Sequence, residues 1–375
     1  MCGYKKAKQR PKKINFPAKN VHKPMAIILS GIQQIGLGVA NAQEAFSWYK
    51  KYFGFDIIIF KDEATASLMQ QYTGHTAYQR KAILAINLQG GAGIEFWQYT
   101  NRTPLPPAFT LQLGDLGLFA IKIKCKNVHQ AYKYFCNENL HILNTPTLNT
   151  CNQYHFFLKD LYGNVIEVIE ETVFFTTTET FTAGICGVLI GVTDIEKSID
   201  FYKNILQYDE ITYQETGVFT NWQNIPGHKN TCTRALLKRS KTGEGAFANL
   251  LGPSQVELIQ VMDRLPQKIY KNRYWGDLGY IHLCYDIHGM ALHENICANQ
   301  LYPLTVNSQH SFDMGQAAGQ FAYNEDPDGT LIEYVETHKL PLLKKVGLYL
   351  NLKKRNPTMP LPNWIIQCFR LCRVK

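Results

Sequence analysis

This 375-residue chain repeats itself, and the repeat limits what it can fold into more than any other feature. When Val39 is laid on Val192, Trp48-Tyr49-Lys50 falls on Phe201-Tyr202-Lys203 without a gap. Each of these two segments reads as a strand, a capped turn and an amphipathic helix. Two further units open on Gly114-Asp115-Leu116-Gly117 and Gly276-Asp277-Leu278-Gly279, and Ala131-Tyr132-Lys133-Tyr134-Phe135 supplies the helix of the former. Every unit closes on a strand-like triplet with a central glutamate: Ile94-Glu95-Phe96, Ile166-Glu167-Val168, Val256-Glu257-Leu258 and Ile332-Glu333-Tyr334. The first and third units are long and the second and fourth short, so a two-unit block recurs at an offset near 160 residues. The pattern predicts an α+β chain of four βαβββ modules.

Linkers are expected near 99–113, 171–184 and 262–275. They divide the chain into a basic N-terminal tail (1–26), a first domain of modules 1 and 2 (27–172), a second domain of modules 3 and 4 (183–337) and a basic C-terminal extension (338–375). The net charge of +9 is segregated: the two ends carry 17 Lys and Arg and no acid, which leaves an acidic body. The basic ends are expected to be solvated or to touch an anionic surface, with the C-terminal one packing over a barrel mouth; no specific nucleic-acid partner is predicted. No stretch has the roughly 20 apolar residues of a membrane span, and no secretion signal is read. None of the ten cysteines forms a Cys-x-x-Cys, so reduced thiols in a cytoplasm are expected. The oligomeric state is left open.

The last module carries the chemistry most visibly. His282 lies in the strand-like Gly279-Tyr280-Ile281-His282-Leu283, and Glu333 follows the turn Asp326-Pro327-Asp328-Gly329. Alternation along a strand puts each polar side chain on the face opposite its apolar neighbours. A glutamate on such a face is, taken singly, most often just solvated. Its recurrence in all four modules is what points to a ligand.

The paired-module pattern over about 27–337 resembles the vicinal oxygen chelate superfamily, which includes glyoxalase I, extradiol dioxygenases and bleomycin-type resistance proteins. The resemblance implies two half-open mixed β-barrels with the helices outside. It places ligands on the first and last strands of each module: Gln34, Ala120, Gly187 and His282 on the first, Glu95, Glu167, Glu257 and Glu333 on the last. Gln33 is expected on the face opposite Gln34. If modules 1 and 4 pair, Gln34, Glu95, His282 and Glu333 make one four-ligand set; if neighbours pair, Glu257 joins His282 and Glu333. Either set suits a divalent ion such as Zn, Ni, Mn, Co or Fe(II).

The function implied is that of a glyoxalase-like lyase, isomerase or epimerase acting on a small molecule by removing a proton beside a metal-chelated carbonyl. Glu333 is then the base and Glu95 returns the proton. Two alternatives stand beside it: a non-heme iron dioxygenase with an altered triad, and a non-catalytic binding protein of the resistance type, its pocket lined by Trp97, Tyr280 and Tyr323.

Overall fold

The computed structural model describes residues 26–308, 312–313, 318–343 and 348–374. The basic N-terminal tail, apart from Ala26, lies outside the described residues. Module 1 comprises β1 (Ile28–Gly38), α1 (Ala42–Phe53), β2 (Ile57–Thr65), β3 (Gln79–Ile86) and β4 (Gly93–Tyr99). Module 2 runs through β5 (Gly117–Cys125), α2 (Val128–Asn137), the short β6 (His141–Ile142) and β7 (Thr147–Leu148), β8 (Tyr154–Lys159) and β9 (Val165–Glu170). Module 3 has β10 (Thr182–Gly191), α3 (Ile195–Leu206), β11 (Glu210–Gly217), β12 (Cys232–Lys238), the one-turn α4 (Ala248–Leu251) and β13 (Gln255–Val261). Module 4 has β14 (Gly279–His288), α5 (Met290–Asn299), β15 (Val306–Asn307), β16 (Phe312–Asp313), β17 (Ala318–Glu325) and β18 (Leu331–Leu343), followed by β19 (Leu348–Asn351) and α6 (Asn363–Gln367).

Two curled mixed sheets result, as expected for half-open barrels. One runs β15-β17-β18-β14-β1-β4-β3-β2 and the other β11-β12-β13-β10-β5-β9-β8-β6. At the centre of each, the first strands of two modules meet antiparallel, β1 with β14 and β5 with β10. Each module's last strand then lies parallel to its first, as β4 does to β1 and β18 to β14. Module 1 therefore shares a sheet with module 4, and module 2 with module 3. The division into domains at 172–183 does not coincide with the sheets, because both halves contribute strands to both.

Chain-order neighbours are joined instead through their helices. Asn41 caps α1, its Oδ1 accepting from the backbone N–H groups of Gln43 and Glu44, and Asp194 does the same for α3 through Lys197. Each helix turns a tyrosine inward. Tyr49 donates from its hydroxyl to Asp160 (2.9 Å), and Tyr202 to Asp326 (3.1 Å). Asp326 also accepts from the backbone N–H groups of Asp328 and Thr330, which closes the turn that delivers β18. Asp160 makes the equivalent bonds to Tyr162 and Asn164 ahead of β9. The repeated tyrosine is thus a buttress from one module's helix to the next module's turn.

The repeated Gly-Asp-Leu-Gly is a clasp. Asp277 receives Arg102 in bidentate fashion (2.5 and 3.1 Å) as well as the N–H groups of Leu105 and Tyr274. Asp115 receives Arg264 (2.6 Å) and the N–H groups of Gln112 and Gln267. In this way the linker after module 1 is fastened to module 4, and the linker after module 3 to module 2. Both carboxylates are buried.

The C-terminal extension packs rather than floats. Leu361, Ile365, Ile366 and Phe369 form an apolar cluster with Ile57 and Ile86 of β2 and β3, Leu340 and Leu350 of β18 and β19, and Leu250 of α4. It thereby spans from one margin of the first half-barrel to the other, fastened by Arg373 to Asp56 (3.0 Å) and by the Val374 N–H to Asp56 O. Among the described residues no helix is long and apolar enough to cross a membrane, and the nine described cysteines are free.

The clasps supply a test of the module exchange. Arg102→Ala strands a buried carboxylate, so a loss of about 3–5 kcal/mol in unfolding free energy is expected, read from urea denaturation. Arg264→Ala should act alike through Asp115. A midpoint unchanged in both would show that the clasps do not hold the sheets together.

Candidate metal centre

The concave face of the first half-barrel brings together Gln34 of β1, Glu95 of β4, His282 of β14 and Glu333 of β18. Glu95, His282 and Glu333 present ligand atoms all within 4.8 Å of one another. His282 Nε2 lies 3.1 Å from Glu333 Oε2 and 3.7 Å from Glu95 Oε2. Gln34 Nε2 lies 3.3 Å from Glu95 Oε2 and 3.4 Å from Glu333 Oε2. The His282 side chain is fully buried, and those of Glu333 and Glu95 are 9% and 12% exposed. Tyr323 of β17 donates to Glu333 Oε1 (2.8 Å), which fixes the second oxygen of that carboxylate.

Two irregularities aim these side chains. Between Gly36↔His282 and Leu37↔Tyr280 the register slips by one, so Ile281 is an extra residue on β14. Ile281 and His282 consequently both serve the concave side, Ile281 packing with Trp97, Trp275 and Tyr323, while Tyr280 turns to the helix-side core and donates to Val165 O. A second slip, between Ile32↔Tyr285 and Gln34↔Cys284, leaves Gln33 as the extra residue on β1. Gln33 therefore does not take the face opposite Gln34: its amide reaches Asp286 and accepts from Cys284 on the site side. Gly36 is needed for space, since a Cβ there would overlap the His282 ring. Strict alternation misses Gln33, Ile281 and Gly36 alike; the only sequence signal is the glycine in Ile35-Gly36-Leu37-Gly38.

The donor set fits a divalent ion. Gln34 Oε1 and His282 Nδ1 are buried without a hydrogen-bond partner, and His282 Nε2 faces Glu333 Oε2 at 3.1 Å, an arrangement of buried polar atoms that costs free energy unless something else coordinates them. A half-turn of the Gln34 amide exchanges its nitrogen for its oxygen and presents a ligand to the same point. Two carboxylates, one imidazole and one amide oxygen make a borderline-to-hard set. The electrostatics agree. Burial, and next the charge of Glu333, push the Glu95 carboxyl up to about 7. Burial also works against ionised Glu333, but the His282 charge and hydrogen bonds outweigh it and hold Glu333 below the usual range. Without an ion, one proton is shared across a pair of carboxylates that cannot both ionise cheaply.

Around this centre stands an aromatic wall. Trp275 lies nearly parallel to the His282 ring at 6.3 Å, and Tyr323 meets that ring edge-on at 5.5 Å. Trp97 packs against Trp275 at 4.5 Å. A cavity of about 440 Å³ adjoins the wall at Trp275 and is also lined by Tyr280, Ile281 and Leu331, whereas Trp97, Tyr323 and the four candidate ligand residues do not line it.

The other glutamates go elsewhere. Glu167 and Glu257 sit on the concave face of the second half-barrel, where Ala120 and Gly187 offer no ligand. Glu257, which neighbour pairing would bring to His282, instead receives Lys122 Nζ at 2.6 Å, and Glu167 lies 3.1 Å from the same amine. Lys122 is a residue that strand-end reasoning overlooks.

The pH response of the metal-free protein tests the Glu95 environment. A carboxyl whose folded pKa is raised favours folding while protonated, and that contribution is lost as pH rises from the unfolded pKa of about 4.5 through about 7. The metal-free wild type should therefore lose about 2–4 kcal/mol relative to Glu95→Gln across that window, seen in melting temperatures at pH 5 and pH 8. Parallel pH curves for the two proteins would disprove the shift.

The sequence model of the Glyoxalase/Bleomycin resistance protein/Dioxygenase superfamily matches residues 31–168. No curated protein sequence matches the chain. Among solved structures, glyoxalase I from Zea mays is similar at a TM-score of 0.51 and 14% identity, over 82% of this chain and 92% of that one. A proposed dioxygenase from Bacillus subtilis is similar at a TM-score of 0.56 and 13% identity, over 82% of this chain and 85% of that one. At such identities the likeness concerns the fold.

Proposed function

We propose that this chain, whose residues 31–168 match the model of the glyoxalase, bleomycin resistance and dioxygenase superfamily, is a divalent-metal-dependent enzyme that moves a proton on the carbon beside a carbonyl. The reaction class is that of a lyase, isomerase or epimerase on a small molecule with adjacent oxygens. The observation that carries this reading is the convergence of Glu95, His282 and Glu333 with Gln34 beside them, where Gln34 Oε1 and His282 Nδ1 are buried without a hydrogen-bond partner.

Zn, Ni, Mn, Co or Fe(II) bound there would supply Lewis acidity that polarises the carbonyl and favours loss of the neighbouring proton. His282 and Gln34 are the fixed members of the set. His282 is held by the Trp275 and Tyr323 rings and by the space left at Gly36, so it cannot swing. The two carboxylates are the members that can hold a proton. Glu333 takes it at Oε2, the oxygen facing His282, while its Oε1 stays tied to Tyr323. Tyr323 keeps that carboxylate oriented and lends it a hydrogen bond, which tempers its basicity. Glu95, with its raised affinity for a proton, returns one from the neighbouring strand β4. Trp97, Trp275 and Tyr323 keep bulk water from the reacting carbon.

The donor set favours this class over the dioxygenase. With modules 1 and 4 paired, a two-histidine triad would need a second imidazole where Gln34 stands, and the cluster among the described residues contains only one.

Elemental analysis of the purified protein is the decisive measurement. About one equivalent of divalent metal per chain is expected, lost in His282→Ala and weakened in Gln34→Ala. Glu333→Gln, assayed by solvent deuterium uptake into α-hydroxycarbonyl and acyl-CoA compounds, should fall about 10²–10⁴-fold. A wild type that takes up none of the five metals, even after reconstitution, would sink this reading and leave the binding protein.

A further inference from the structure

The second half-barrel holds the same two carboxylates as the first, yet it is filled differently. Glu257 and Glu167 are both nearly fully buried, and Lys122 Nζ lies between them at 2.6 and 3.1 Å. Lys122 is itself nine-tenths or more buried. His155 Nδ1 is 2.6 Å from Glu167 Oε1, and Tyr213 donates to Glu257 Oε1 at 2.7 Å. The parallel with the first centre is close, because there Tyr323 bonds the second oxygen of Glu333 in the same manner.

The repeat shows how the substitution is accommodated. With Gly117 laid on Gly279, Ala120 stands for His282 and Lys122 for Cys284. With Val192 laid on Val39, Gly187 stands for Gln34 and Leu189 for Gly36. Two exchanges of size therefore come together. In the first barrel Gly36 leaves room for the His282 ring; in the second Leu189 and Ala120 pack together in one apolar cluster. In the first barrel Gln34 projects toward the carboxylates; in the second a Cβ at Gly187 would overlap Gln255 of β13 (2.5 Å to its O) and crowd Lys122 Cδ at 3.2 Å, so the glycine admits both the neighbouring strand and the lysine stem. The ligand positions were not merely lost, since the space they vacated carries a positive charge.

We propose that Lys122 is the built-in cation of the second half-barrel, standing where a divalent ion would sit, and that removing the ammonium leaves the Glu167 and Glu257 carboxylates, with His155 beside Glu167, free to close on an ion instead. One ion and one reactive centre per chain follow. The second barrel keeps its two carboxylates paired within the chain whatever the metal supply, with Lys122 between them and Arg234 Nη1 3.8 Å from Glu257 Oε1, so only one of the two glutamate pairs depends on an external cation.

The test is made in a His282→Ala background, so that the first centre does not contribute, with Co(II) and Zn(II) as probes in titration calorimetry and Co(II) visible absorption. His282→Ala alone should bind no ion sensitive to Glu257→Gln. His282→Ala/Lys122→Ala should gain about one equivalent with a Co(II) absorption band, and adding Glu257→Gln should abolish both. Because the readout is the difference between these variants and its dependence on Glu257, it stands apart from whether the first centre binds metal at all. A folded Lys122→Ala double variant that gains no ion overturns the proposal, as does a Glu257-dependent ion in the variant that retains Lys122. If the double variant is unfolded alone, recovery of its near-ultraviolet circular dichroism on refolding with Zn(II) supports the proposal. Failure to refold with either ion, when the Glu257→Gln triple variant folds without metal, overturns it.

Discussion

Two carboxylates facing each other on the dry, concave side of a sheet must be neutralised, and both halves of this molecule are arranged around that requirement. An unpaired buried carboxylate is among the most expensive groups a protein can hold, and two of them side by side repel as well. In the second half-barrel a lysine from the central strand answers the need within the chain, with His155, Tyr213 and Arg234 completing the surroundings. In the first half-barrel the partners are a neutral amide and an imidazole, which together cannot balance two full charges. That shortfall drives the Glu95 carboxyl up to about 7, chiefly by burial and then by the charge of Glu333. The asymmetry between two otherwise parallel sites leaves the carboxylates of one barrel short of positive charge and those of the other paired within the chain.

The exchange of modules is what brings that centre into being. Its four side chains come from residues 34 and 95 at one end of the chain and 282 and 333 at the other. Only the antiparallel seam of β1 with β14 makes them neighbours. Chain-order neighbours are nonetheless coupled, through Tyr49 to Asp160 and Tyr202 to Asp326. Sheets join the modules in one order and helices in the other, so no single cut through the chain separates two independent bodies.

The aromatic wall gives the centre its rigidity. Trp275 comes from the segment fastened by the Asp277 clasp, lies over His282 and borders the 440 Å³ cavity. At the opposite end of the same half-barrel the C-terminal extension supplies Leu361, Ile365, Ile366 and Phe369 as an apolar plug. The liganding atoms are therefore held between two packed ends, and the partial exposure of Glu95 lies between them.

The sequence by itself determined the four modules and their α+β character, and the resemblance it carries picked out the first- and last-strand positions, Gln34, Glu95, His282 and Glu333 among them, that the fold gathers. Internal repetition reports local structure directly: strand, helix and closing glutamate recur because each module has to make the same elements. It could not determine which module lies beside which, since both pairings satisfy the same local pattern; that choice is made by contacts such as Arg102 with Asp277. Nor could alternation foresee that Gln33 and Ile281 turn inward, because a bulge is a property of two strands in register. Lys122 was hidden for the same reason. Its place along β5 looks like any other strand residue, and only the approach of Glu167 and Glu257 from two other strands makes it the charge at the heart of the second barrel.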